Sequence, residues 1–207
     1  MNHLAHFKLA SGHPKLLVGN LLADHVKGRL NGQFDAGIET GIRLHRAIDA
    51  YTDSHPVVTS SHARLDAPYR RYGGIITDIV YDHFLAVHWR SFDQRSLEDF
   101  CQTSLGEVMD YHQYLSAPAK ERTLRMQRSK SMEHYGSPDF IERSFVYLSG
   151  RLKRKNPLAS GFTQFEKHKN SLESDFMAFF PALQKFASDW VEQHNKQLAY
   201  GTHCDYS

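Results

Sequence analysis

The segment Ile75–Trp89 constrains this chain more than any other. Its fifteen residues contain no Gly or Pro and are apolar at 75, 76, 79, 80, 84, 85 and 89, yet they carry Asp78, Asp82 and His83. The β-branched start is compatible with a strand, but a run of this length without a breaker reads as a buried helix. On a helix, Asp78 and Asp82 lie one turn apart on one face. Ionised carboxylates in such surroundings are costly to bury unpaired. A divalent cation would answer that cost, and so would an arginine such as Arg46, Arg70 or Arg71. An oxygen-rich site with one or two imidazoles suits Mn²⁺, Mg²⁺ or Fe²⁺ better than a structural zinc.

The rest of the chain repeats the helical period. Leu16–Arg29 is apolar at 16, 17, 18, 21, 22 and 26, and Gly28 and Gly32 signal its end. Phe34–Asp53 is apolar at 34, 38, 42, 44, 48 and 51 and is broken by His55-Pro56. Residues 69–74 read as a basic, aromatic connector. Helices are predicted over 96–114, over 119–135 with Pro118 at its start, and over 137–153. Asn156-Pro157 to Gly161 is a breaker, followed by a helical stretch over 162–198 interrupted at Pro181. Phe162, Phe165, Phe176, Phe179, Phe180 and Phe186 fall at helical spacing and read as core. No alternating strands with Asn-Gly or Asp-Gly turns occur, so the expected class is all-α.

A chain of 207 residues fits one domain spanning 1–207. Such a chain buries about 70% of its unfolded surface and needs neither disulfide nor metal to hold a core. With 41% hydrophobic and 23% charged residues it is neither disordered nor a membrane protein. The first eight residues lack the order of a secretory signal, and Cys101 and Cys204 form no CxxC pair, which together suit a reducing cytoplasm. A net charge of +2 does not demand a nucleic-acid partner. The charge is uneven, however: Lys120–Lys155 holds ten Lys/Arg against four acids, a local excess of +6. That segment is either a solvated basic face or a docking surface for an acidic partner.

Two further clusters place metal-competent groups on apolar helices. Asn20 and Asp24 are four residues apart among Leu21, Leu22 and Val26, and form either a local hydrogen bond or cap, or part of a site. His45 and Asp49 are likewise four apart, as are Asp49 and Asp53, with Arg46 alongside. They could ligate a cation or pair as an ordinary salt-bridged surface, though Ile42, Ile48 and Tyr51 leave no wide polar face. No GxGxxG, GxxxxGK[ST], HExxH or GxSxG motif is present. His168, His194 and His203 read as surface residues.

Taken in order, four blocks resemble one family. They are Met1-Asn2-x-Leu4-Ala5-His6, Gly19-Asn20-Leu21-Leu22-Ala23-Asp24, Gly41-Ile42-x-Leu44-His45-Arg46-x-Ile48-Asp49-x-x-Thr52-Asp53, and Asp82-His83-Phe84-Leu85 with Trp89. The pattern is similar to that of the acyl carrier protein phosphodiesterases, regarded as a divergent branch of the all-helical HD-type phosphohydrolases. The resemblance implies a single-domain helical bundle and hydrolysis of the 4′-phosphopantetheine arm from holo acyl carrier protein. Manganese is the metal it implies, with Mg²⁺ or Fe²⁺ as substitutes. It implies Asp24, His45, Asp49, Asp78, Asp82 and His83 as the site, with Arg46 a candidate phosphate clamp. The chain departs from the HD pattern in lacking a His-Asp dipeptide; Asp82-His83 has the reverse order. Acyl carrier proteins are acidic, so the basic segment 120–155 becomes the expected docking surface, with no nucleic acid and no membrane involved. The rival readings are a phosphohydrolase acting on a nucleotide or other small phosphodiester, and a non-catalytic helical module for an acidic partner.

Overall fold

The computed structural model describes residues 2–201, with side chains as far as His194, so His203 and Cys204 lie outside the described residues. These residues form helices and connecting turns, with no strand among them. The order begins α1 (His3–Leu9), α2 (Pro14–Ala23), α3 (Ala36–Ser54), α4 (Pro56–Arg64) and a single turn, α5 (Ala67–Arg70). It continues with α6 (Gly73–Val87), α7 (Leu97–Asp110), α8 (Ala117–Ser129), α9 (Pro138–Arg151) and a 41-residue α10 (Gly161–Gly201). None is long and apolar enough to cross a membrane.

The all-α expectation holds, and α6 shows why its segment was ambiguous by period. Ile76, Thr77, Ile79, Val80, Tyr81, Asp82, His83, Phe84 and Leu85 are all buried, so no polar stripe marks the helix. It is the central element, packed against α1, α4, α9 and α10. Phe165, Phe176, Phe179 and Phe180 of α10 are buried in the same core, and Phe162 and Phe186 pack at its margin. Pro181 does not interrupt α10. The proline sits on the exposed face and deprives only the carbonyl of exposed Met177 of its partner, while Leu172, Phe176, Phe180 and Leu183 hold the inner stripe.

Local chemistry sets the other boundaries. Asp35 caps α3 by accepting the Gly37 amide at 2.9 Å, and Ser96 caps α7 by accepting the Asp99 amide at 3.0 Å. Helix α2 stops at Ala23 rather than near Arg29, and α8 stops before Lys130, whose φ is 49°. The short α1 had no counterpart in the sequence reading.

The closest helix crossing is α2 on α3, where Gly19 and Gly41 face one another. A Cβ on Gly41 would stand 2.5 Å from the Leu16 carbonyl oxygen and 2.8 Å from Leu16 Cα, both immovable backbone. This crossing sets the turns bearing Asn20 and Asp24 against those bearing His45 and Asp49. Gly41→Ala is expected to destabilise by about 3 kcal/mol, read as a fall in the urea midpoint. Gly106→Ala is the control: its Cβ would meet nothing within 4 Å on α7. It should gain about 0.5–1 kcal/mol from lower unfolded-state entropy and better helix propensity.

Candidate metal centre

Three helices bring the centre together: α1 supplies His3 and His6, α2 supplies Asn20 and leads into Asp24, and α3 supplies His45 and Asp49. The imidazoles of His6 and His45 stack with centroids 3.9 Å apart and planes 10° from parallel. Both turn Nε2 toward one carboxylate. His6 Nε2 lies 3.2 Å from Asp49 Oδ1, and His45 Nε2 lies 3.1 Å from Asp49 Oδ2. Asp24 Oδ1 is 3.7 Å from the same His45 nitrogen, and Asp24 Oδ2 is 3.2 Å from an Arg122 nitrogen of α8.

Hydrogen bonding fixes the tautomer of His6. Asn20 Nδ2 donates to the Leu16 carbonyl at 3.0 Å, which leaves Asn20 Oδ1 as an acceptor facing His6 Nδ1 at 3.2 Å. Nδ1 therefore carries the proton, and Nε2 presents a lone pair. That buried Nε2 makes no hydrogen bond. A lone pair set against a carboxylate oxygen is repulsive until a cation lies between them. Burial, opposed by Asp49, lowers His6 to about 4, so it is neutral at pH 7. Half-buried His3 is lowered to about 4 by burial in the same way, against the pull of Asp24. Burial pushes Asp49 up, but hydrogen bonding, led by the His45 imidazole, outweighs it and holds the group well below the usual carboxylate range.

Ligand atoms of His6, His45 and Asp49 all lie within 4.8 Å of one another. An octahedral ion with bonds of about 2.1 Å places adjacent ligands about 3 Å apart, close to the two nitrogen–oxygen separations found here. The donor set thus fits a divalent cation, and Asn20 is the partner that orients one of its imidazoles.

The sequence profile of the family described as acyl carrier protein phosphodiesterase matches residues 1–183. The acyl carrier protein phosphodiesterase of Serratia proteamaculans is 32% identical over 190 residues, covering 91% of this chain and 98% of its own. The acyl carrier protein phosphodiesterase of Yersinia pestis is 32% identical over 188 residues, with 90% and 97% covered. The acyl carrier protein phosphodiesterase of Klebsiella pneumoniae strain 342 is 30% identical over 201 residues, with 96% and 100% covered. The chain belongs to the acyl carrier protein phosphodiesterase family. No solved structure matches it.

The expected site residues divide. Asp24, His45 and Asp49 come together at the centre. Asp82 and His83 do not join them. Asp82 is buried under the start of α1, where Oδ2 accepts the Leu4 amide at 2.9 Å and Oδ1 accepts the Ala5 amide at 3.3 Å. Those amides are orphan donors of a helix N-terminus and stand where the sequence reading placed a cation or an arginine. His83 Nδ1 donates to the Tyr135 carbonyl at 2.9 Å, and its ring packs edge-on against Phe165. Asp78 borders a groove with Asn2 and Arg151 on the other side of α1's start. Arg46 is no free phosphate clamp. It donates to the Val26 and Gly28 carbonyls, each at 2.9 Å, and ties the 24–34 loop to α3.

His3, His6 and Arg122 were not on the expected list. His3 and His6 share a helical face three residues apart, the one sequence signal that could have marked them.

Asp82 offers a pH test of its burial. Burial pushes its carboxyl up to about 7. The unfolded chain releases this proton near pH 4 and the folded chain near pH 7, so the stability tied to that proton is complete below pH 4 and is lost as pH rises to 7. His3 and His6, both lowered, act in the opposite sense and lose their contribution as pH falls. Comparison with Asp82→Asn cancels their share. The unfolding free energy of wild type minus that of Asp82→Asn should decrease from pH 4 to pH 7, by up to about 4 kcal/mol. A difference independent of pH in urea titrations would contradict the burial-driven rise of this carboxyl.

Proposed function

We propose that this hydrolase is a metal-dependent phosphodiesterase that releases 4′-phosphopantetheine from holo acyl carrier protein. The observation that carries the reading is the pair of stacked imidazoles aimed at Asp49, in a chain of this family. His6 Nε2, His45 Nε2 and Asp49 would hold the cation, with Asp24 at its edge. Two imidazoles and a carboxylate favour Mn²⁺ or Fe²⁺ over Mg²⁺. A divalent cation at this point would shield the phosphate oxygens and acidify a water. The kinship with HD-type phosphohydrolases is supported by the same chemistry, histidines and aspartates drawn from separate helices, despite the missing His-Asp dipeptide.

The chain's own side chains supply the rest. Asp24, whose side chain is 42% exposed at the edge of the cluster, is placed to take a proton from incoming water. Arg122 donates one N–H to Asp24 and keeps others for a phosphate oxygen, the role Arg46 cannot fill. Asn20 keeps the His6 lone pair directed at the centre.

Mass spectrometry of holo acyl carrier protein, incubated with this protein in Mn²⁺ or EDTA, tests the reaction. Conversion to the apo form is expected with Mn²⁺ alone. Asp49→Asn and His6→Ala should lose bound metal and turnover together, and Asn20→Ala should weaken metal affinity by roughly 10–100-fold. An intact carrier with metal bound would move the substrate to a small phosphodiester. An intact carrier without bound metal would leave the binding-module reading.

We also propose that the carrier docks on the basic face of α8 and α9. Lys120 and Arg128 of α8 and Arg143 of α9 are exposed, as is Arg154 just beyond α9, and α9 also exposes Val146 and Tyr147, at 54% and 59%. Steering by such a face is screened by salt. KM for the carrier should rise steeply between 50 and 500 mM NaCl, with kcat changing less; a salt-insensitive KM would remove the docking role. The reducing cytoplasm, read from two cysteines that form no CxxC pair, is the compartment that suits this turnover.

A further inference from the structure

A cavity of about 240 Å³ opens beside His3, between α6, α8 and α9. Its walls carry three guanidinium groups: Arg122 and Arg125, three residues apart on α8, and Arg151 at the end of α9. No carboxylate lines it. Among the described residues only Arg122 of the three forms an ion pair, with Asp24, and through Asp24 it touches the candidate centre. Arg151 lies 5.7 Å from the Tyr147 ring in a cation–π contact. The cationic end of this cavity is therefore built against the metal-binding cluster.

A second cavity of about 430 Å³ shares Asn2, Ile79, Leu148 and Arg151 with the first, so the two form one groove. Farther along, Ile75 and Leu152 join its lining, with Asp78 the one carboxylate on that wall. The groove thus runs from three guanidinium groups at the centre to a mainly aliphatic stretch that carries Asp78 at its edge. A ligand with an anionic phosphate at one end and a largely aliphatic arm at the other has the same order of polarity.

We infer that this groove is the subsite for the phosphopantetheine arm, with the phosphate at Arg122, Arg125 and Arg151 and the pantetheine chain along Ile79 and Leu148. The inference rests on the phosphodiesterase reading for the identity of the arm. It separates the basic segment into two parts: Arg122, Arg125 and Arg151 bind the group to be released, while the outward-facing cations meet the carrier's surface. It also gives the apolar residues of α6 and α9 a part in specificity.

Calorimetric titration of the purified protein tests it, with 4′-phosphopantetheine, pantetheine, inorganic phosphate and adenosine monophosphate as probes. Phosphopantetheine should bind at least about tenfold more tightly than each of the other three. Arg151→Ala and Leu148→Trp should each weaken it by about tenfold or more, with Leu148→Met staying within about threefold of wild type. Arg151 is exposed, so its variant should keep the wild-type melting temperature and report on binding alone. Equal affinity for phosphopantetheine and phosphate, tighter binding of adenosine monophosphate, or wild-type affinity in folded Arg151→Ala and Leu148→Trp would each overturn the subsite. The carrier mass assay on the same preparations separates the two ideas. Carrier conversion without this affinity pattern sinks the subsite and keeps the reaction; the affinity pattern with an intact carrier sinks the reaction and keeps the subsite.

Discussion

Two backbone amides meeting one carboxylate hold the candidate centre in place. Helix α1 has only seven residues, too few to persist alone in water. Its first amides point into the core at α6, where water cannot satisfy them. Asp82 brings a carboxylate to the same point, where an unpaired charge would be equally costly. Each group offsets part of the other's penalty, burial still pushing the carboxyl up to about 7, and Asn2 adds a further cap by accepting the His3 amide at 3.0 Å. Leu4, Ala5 and Phe7 then lock the inner face of α1 into the core. Only with this anchor in place do His3 and His6 reach the histidine and carboxylates of the neighbouring helices.

The second constraint is the glycine crossing of α2 and α3. Backbone contact at Gly19 and Gly41 brings the axes close enough for Asn20 to face His6 and for Asp24 to approach His45. Beyond Asp24 the chain leaves helical geometry, with Gly28 and Gly32 at φ of 80° and 85°. Arg46 and buried Glu39 gather that loop back onto α3, Glu39 by accepting the Gly32 amide at 2.8 Å. Arg46 therefore shapes the border of the candidate centre, while the guanidinium paired with Asp24 comes from α8.

The helical class, most breakers and the phenylalanine core were legible in the sequence because each depends on local period or on a single strong residue such as proline. Asp24, His45 and Asp49 were legible for a related reason: polar pairs at four-residue spacing with apolar neighbours announce a buried polar cluster. The sequence could not say what satisfies such a cluster. A buried carboxylate is stabilised alike by a cation, a guanidinium or helix amides, and at Asp82 the amides came from residues almost eighty positions away. His3 and His6 escaped because the helix that orders them exists only through that remote contact. Pro181 erred in the other direction, since tertiary packing of the inner stripe overrides a lost hydrogen bond on a wet face.

Charge balance ties the centre to the groove. Among the described residues, Asp24 and Asp49 outnumber Arg122, the one cationic side chain paired with them, by one unit of charge. An anionic phosphodiester would be repelled from such a site, the more so because half its surroundings are apolar. A divalent cation reverses the sign, and Arg125 and Arg151 extend positive potential outward along the approach. Binding of the cation and of the phosphate are then coupled, each lowering the electrostatic cost of the other. The basic wall alone would attract acidic surfaces of many kinds; set against a cluster that needs its own cation, it selects for an anion that can reach both.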